Sequence, residues 1–210
     1  MKKRPTTAQL FLGYSKQGMK TLEFDAEIIG TAASLDDALR AAFSMDVLRH
    51  VHGDGVHSVE PWEKSRSAHD KEGRRKDPPP HDMERNYKVR SPIPPTLPPV
   101  LRHLAGGSDA EIEMTVRQRA WQQLDGRAWK IESKFKLHVP CGRMVRVKCY
   151  FLIQRNPESG RVSLANSVKA RVLLPAPLNQ VAEEYVLQMF MNSVASHAEA
   201  VRKELSSNKE

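Results

Sequence analysis

A chain of 210 residues with 40% hydrophobic content fills one well-packed domain or two small ones, which excludes wholesale disorder. No apolar run approaches the roughly 18 residues that a membrane-spanning helix needs, and two cysteines, Cys141 and Cys149, are too few for a disulfide framework and favour a reducing compartment. The formal net charge of +8 points to acidic partners, phospholipid head groups or nucleic acid, without choosing between them.

Residues 1–20 read as a basic tail. Lys2, Lys3, Arg4, Lys16 and Lys20 all precede the first acidic residue, Glu23, a start that fits either an organelle presequence or a frayed terminus. "TLEFDAEIIG" then alternates Leu22, Phe24, Ala26 and Ile28 against polar positions, the period of a half-buried strand. "SLDDALRAAFSMDVLRHVH" reads as one helix stopped by "GDG" at 53–55. Ser34 caps it, Asp36 and Asp37 suit its positive start, and Leu35, Ala38, Leu39, Ala42 and Phe43 form its apolar stripe.

"VHSVEPW" and "RNYKVRS" are short strands. Residues 64–84 between them are charged, proline-bearing and nearly free of large apolar groups, which predicts a flexible insertion. "PIPPTLPPV" at 92–100 carries five prolines and predicts an extended connection. Neither flank has enough strands to bury a core alone, so residues 21–205 are expected to form a single domain, with 206–210 as a tail.

The second half alternates cleanly. "EIEMTVRQRAWQQLDGRAWKIESKFKLHVP" holds two strands joined near Asp125–Gly126, with Trp129, Ile131, Ser133, Phe135, Leu137 and Val139 on one face of the second. Val145, Val147, Cys149, Phe151 and Ile153 then point inward from "VRVKCYFLIQ", and Val162, Leu164, Val168, Ala170 and Val172 from "RVSLANSVKARVLL". One sheet face is therefore apolar over several strands and needs a cover. The remaining element of sufficient length is a helix over roughly 178–205, spanning about 40 Å at 1.5 Å per residue. Its apolar face runs Val181, Tyr185, Met189, Val194, Ala198, Val201, and closes either an ordinary core or a ligand. The expected fold class is α+β: a curved antiparallel sheet of about seven strands gripping a long C-terminal helix.

That order resembles the START-like (helix-grip, SRPBCC) superfamily. Trp62 in "EPWE", Arg85 and Tyr87 in "RNYKVRSPIP", Pro140 and Gly142 in "HVPCGRMVRV", and the strand–strand–helix ending carry the resemblance over roughly residues 21–205. The C-terminal half is similar to the VASt type of lipid-binding domain, and a bacterial START-like group with a proline-marked last strand fits the same pattern. The resemblance implies a hydrophobic cavity between sheet and helix that holds a lipid, sterol or other apolar molecule. It implies no catalytic set and no cofactor. The residues expected to line such a cavity are Gln118, Phe135, Cys149, Phe151, Asn166, Tyr185, Met189 and Asn192. Met189 and Met191 adapt to irregular shapes, and Gln118 and Asn166 would form a polar end.

The opposite sheet face is basic. Arg117, Arg119, Lys130, Lys134, Lys136, Arg146, Lys148, Lys169 and Arg171 share the outward parity, and residues 127–155 hold eight Lys or Arg against one acid, Glu132. A solvated face ordinarily mixes signs. Anionic membrane or an acidic protein suits this one, while sparse aromatic interleaving argues against nucleic acid. Location follows as cytoplasmic or peripheral at a membrane.

His50, His52, His57 and Asp54 in "RHVHGDGVH" match no strong zinc spacing, so no metal is expected. GxSxG and P-loop motifs are missing from the sequence, and Glu183–Glu184 are expected on the outer side of the last helix. Binding is favoured over catalysis. A protein-interaction module on the basic face and a cyclase-like enzyme working through Gln118 or Asn166 are the alternatives, and oligomeric state is not legible.

Overall fold

The computed structural model describes residues 13–14, 20–64, 83–107, 111–123, 126–140 and 142–207. Most of the basic tail, residues 65–82 of the insertion, residues 108–110, Leu124, Asp125, Cys141 and residues 208–210 lie outside these. Nine strands among the described residues form one sheet: β1 (Gly13–Tyr14), β2 (Lys20–Thr31), β3 (Val56–Val59), β4 (Glu63–Lys64), β5 (Met83–Pro92), β6 (Glu111–Gln123), β7 (Ala128–Leu137), β8 (Val145–Arg155) and β9 (Arg161–Val172). Its order is β1-β2-β9-β8-β7-β6-β5-β3, with β4 also on β5, and every pairing is antiparallel. Four helices accompany it among the described residues: α1 (Leu35–Ala42), α2 (Met45–His52), α3 (Pro99–Leu104) and α4 (Leu178–Ser207). The 30 residues of α4 reach about 45 Å at 1.5 Å per residue and lie along the inner face of the sheet. This is a helix-grip fold, an antiparallel sheet closed around a long C-terminal helix.

Four local expectations are corrected. The alternation of β2 slips, because register shifts between Phe24 and Glu27 and between Ile28 and Gly30 turn the strand over. Ile29 is buried in place of Ile28, and Ala26 faces solvent. The single helix of residues 34–52 is two. Ser34 closes a capping box with Asp37, its Oγ accepting the Asp37 N–H at 3.0 Å, and Ser44 restarts the chain by accepting the Val47 N–H at 3.2 Å. Phe43 between them drops into the core against Phe151 and Trp62. The proline-rich run is not extended to its end, since Pro99 occupies the first turn of α3, where its missing N–H costs nothing. The insertion is narrower than 64–84, for Lys64 pairs with Met83 and Glu63 with Glu84.

The core divides along α4. Its C-terminal half packs Ala198, Ala200, Val201 and Leu205 against α1, Ile131, Ile153 and Leu164. Towards the other end, Leu187 and Val194 meet Val147, Cys149 and Val168, and Ala182 meets Leu101 and Val172. Gly142, between β7 and β8, sits so close to the chain that a Cβ would lie 2.2 Å from the Leu137 carbonyl oxygen. No other residue fits that crossing.

Candidate functional site

The N-terminal half of α4 does not seal the sheet. Between it, α3 and the ends of β6–β9 lies an open cavity of about 200 Å³. Its wall is aliphatic and aromatic: Leu101 and Leu104 from α3, Leu137 and Phe135 from β7, Val147 from β8, and Val186 and Phe190 from α4. Alternation explains the sheet side, since each second residue of these strands points at the helix. The proline-marked turn before α3 explains the other side. Arg102 donates to the carbonyls of Pro95 and Leu97, tying that turn to its helix, and Thr96 Oγ1 lies 3.2 Å from the Tyr185 hydroxyl across the cavity edge.

Seven large apolar side chains are exposed among the described residues, and five of them belong to the segments that build this cavity: Met144 and Met189, with Val100, Leu173 and Val181 next in sequence to the lining residues Leu101, Val172 and Ala182, each 42–45% exposed. Met144 and Met189 line the cavity itself. Leu173 is bound to Met144 through its N–H at 2.8 Å. Scattered exposed apolar groups are ordinary, whereas a group of them around one opening marks an interaction site.

A second, smaller cavity of about 40 Å³ lies deeper, toward α1 and α2. Polar groups converge on it. Gln118 is 1% exposed and its Nε2 donates to Ser133 Oγ at 3.0 Å, while its Oε1 accepts Arg85 Nε–H at 2.7 Å. Arg85 itself is 5% exposed and has no carboxylate partner among the described residues; its Nη2 has no hydrogen-bond partner there. The guanidinium stacks instead on Trp62 at 4.6 Å and Phe43 at 5.5 Å. Desolvated stacking of this kind is worth about 2 kcal/mol, against an effective penalty of several kcal/mol for a buried unpaired ion. The charge is thus under-compensated. Burial lowers the guanidinium pKa to about 10, so it stays protonated at neutral pH.

Two histidines border the same space. His197 of α4 donates Nε2–H to the Ala42 carbonyl at 2.7 Å, which joins α4 to the end of α1. Burial lowers its pKa to about 4. His52 has its Nε2 at 3.4 Å from the Tyr87 hydroxyl, and burial lowers it to about 4 as well. Burial also pushes the Cys149 thiol and the Tyr87 phenol up, leaving both neutral. His50 is exposed and His57 Nδ1 faces the Gly55 carbonyl, so the histidines of that segment diverge.

Of the residues expected to line a cavity, Phe135, Tyr185 and Met189 border the outer one, and Gln118, Phe135, Cys149 and Phe151 the inner one. Asn166 and Asn192 border neither. Asn166 is buried beside Phe24 and Phe151, one strand away, and Asn192 is exposed and accepts from Gln188. Glu183 is not on the outer side of α4. It is buried and accepts the Val172 N–H at 3.1 Å, closing the end of β9. Sequence reading missed α3, Arg85 as a buried cation, and both inner histidines; the signal for Arg85 was its inward parity with Tyr87 and Val89 on one strand.

The nine basic residues occupy the sheet face away from α4. Register places Arg117, Lys134, Lys148 and Lys169 directly opposite one another on four adjacent strands, and Arg146 opposite Arg171. Like charges in facing positions destabilise a sheet. Glu132 relieves the row in part, with Lys134 Nζ at 3.2 Å and Lys148 Nζ at 3.4 Å. Burial pushes its carboxyl up, but the two lysines outweigh burial and hold it below the usual carboxylate range. Arg117 pairs with Glu84 at 2.8 Å, and Lys130 and Lys169 lie over the Tyr150 ring. Arg119 faces Glu132, and Lys136 ends its strand beside Leu137.

No protein-family model and no curated protein matches this sequence. Solved structures do resemble the fold. A protein of Thermus thermophilus is 8% identical, with 90% of this chain and 99% of that chain covered and a TM-score of 0.48. A STAR-related lipid transfer protein fragment of Xanthomonas axonopodis is 12% identical over 92% of this chain and 98% of that one, at a TM-score of 0.45. Ara h 8.0201 is 11% identical over 90% and 99%, at 0.43. Such identities leave function to be read from this chain's own residues.

Proposed function

We propose that this protein binds an apolar small molecule, a lipid, in the open cavity under the N-terminal half of α4, and exchanges it with an anionic membrane. The carrying observation is that cavity: about 200 Å³, apolar-walled and open at a rim of exposed apolar side chains. An engineered apolar cavity of about 150 Å³ takes up benzene, and drug-sized ligands occupy about 300–1,000 Å³. The cavity therefore suits one end of an acyl chain, entering lengthwise, better than a rigid sterol body. Each methylene moved from water into it contributes about 0.8 kcal/mol.

The membrane part of this reading rests on the same strand ends. Lys136, Arg146 and Arg171 neighbour the cavity-lining Leu137, Val145 and Val172 in sequence and point to the opposite sheet face. A bilayer touching the rim of Val100, Met144, Leu173, Val181 and Met189 would bring anionic head groups beside these cations, each contributing about 1 kcal/mol near the surface. Among the described residues no helix is long and apolar enough to cross a membrane, so the contact is peripheral. Native mass spectrometry after incubation with a mixed phospholipid and fatty-acid extract tests the reading: a stoichiometric adduct supports it, and a bare protein mass overturns it.

A further inference from the structure

The two cavities share a wall. His52, Phe135, Phe190 and Ser193 border both, and the partition between them is built by Phe135 of β7 meeting Phe190 of α4 edge to face, ring centroids 5.0 Å apart. Phe190 is half-buried: it packs beside Leu187 and Val194 on one side and borders both cavities on the other, so its ring has space to turn into. Beyond the pair the chemistry changes. The outer space offers mainly aliphatic surface, and the inner one adds Tyr87, Ser133 and Gln118 to an otherwise apolar lining. Its volume, about 40 Å³, is close to the ~30 Å³ share of one liquid water molecule, room for one small polar group. Ser133 Oγ accepts from Gln118, which leaves its own proton to donate. Arg85, reached through Gln118, is a buried cation without a counter-ion among the described residues.

Resting on the lipid-binding reading above, we infer that the two cavities are the two ends of one site, joined when Phe190 turns away from Phe135, and that the ligand is a long-chain carboxylic acid. The chain occupies the outer cavity. The carboxylate occupies the inner one, accepting from Ser133 and Tyr87 and supplying the negative charge that Arg85 lacks. Trp62 and Phe43 hold the guanidinium in place while the site is free. Polar groups at the inner end and an apolar outer cavity together set the polarity of entry, carboxylate first.

Titration calorimetry with dodecanoate and methyl dodecanoate at pH 8 tests this on the full-length protein. The acid is expected to bind at least tenfold more tightly than the ester, a difference of about 1.4 kcal/mol. In Arg85→Met the preference for the acid should fall below twofold. Should Arg85→Met fail to fold, dodecanoate labelled with ¹³C at the carboxyl, bound to the unaltered protein, gives a second reading. Its carboxyl should titrate at least one unit below the free acid in the monomeric state. Equal affinities for acid and ester, or an unshifted carboxyl titration, overturn the joined site and leave the lipid cavity standing. If neither compound binds, both fall.

Discussion

The two halves of α4 belong to one uninterrupted helix and do opposite things. From Val194 onward its inward residues are sealed: Ala198, Ala200, Val201 and Leu205 are buried against α1 and the sheet, and His197 bonds the Ala42 carbonyl. Before Val194, Val181 and Met189 are more than two-fifths exposed, and Tyr185, Val186 and Phe190 stand over a cavity. What separates them is the cover on the far side. The C-terminal half has α1 and α2 packed along it, whereas the N-terminal half has the six residues of α3 across an opening. One continuous helix thus becomes core or binding surface according to what lies opposite.

That contrast is open to direct test. Val201→Asp places an unpaired charge at a site with no exposure and should cost more than about 4 kcal/mol, read as loss of the urea unfolding transition. Gly142→Ala comes next. Its Cβ would meet the Leu137 carbonyl oxygen at 2.2 Å, and the displaced backbone should lower stability by about 3 kcal/mol while deforming the cavity wall, seen as a lower midpoint in thermal melts.

Acid should loosen the sealed half. His197 has its folded pKa lowered from 6.5 to about 4 by burial, so the unfolded chain binds the extra proton between those values. Its contribution to stability is complete above pH 6.5 and is lost, at about 1.4 kcal/mol per pH unit, as pH falls toward 4. Urea titrations at pH 7 and pH 5 should therefore differ, and His197→Phe should shrink the difference by about 2 kcal/mol; an unchanged difference would assign the acid sensitivity to His52 or elsewhere. The smallest effect on stability belongs to the open half. Met189→Asp should shift stability by less than about 0.5 kcal/mol, yet abolish uptake of dodecanoate and weaken binding to phosphatidylserine vesicles. A stability loss as large as that of Val201→Asp would erase the distinction between the halves.

Much of this architecture is legible without coordinates. Strict alternation over Glu111–Gln123, Ala128–Leu137, Val145–Arg155 and Arg161–Val172 identifies four central strands and their inner faces, because a period of two leaves one assignment open. The long helix follows from the need to cover them. Inward Gln118 and the basic outer face follow from the same parity. Failures occur where a local rule is overridden by a neighbour. The bulges that turn β2 over answer to the register of β9, and the break at Phe43 answers to a pocket made by Phe151 and Trp62.

Glu183 shows the limit most plainly. In sequence it is one of two acids on a helix, and solvent is its expected place. In the fold it is buried because the N–H of Val172, at the end of β9, needs an acceptor there. Arg85 is the same case with the opposite charge: its inward parity is written in the strand, while its lack of a counter-ion among the described residues exists only once the inner face is assembled. Periodicity acts over a few residues and is carried by the chain itself, so the faces of the four central strands, the length of the last helix and the basic character of the outer sheet face were determined by sequence alone. Where the helix meets core and where it meets a cavity depends on residues 89 to 155 positions away in the chain, as the Tyr185–Thr96 and His197–Ala42 contacts show, and packing decided that.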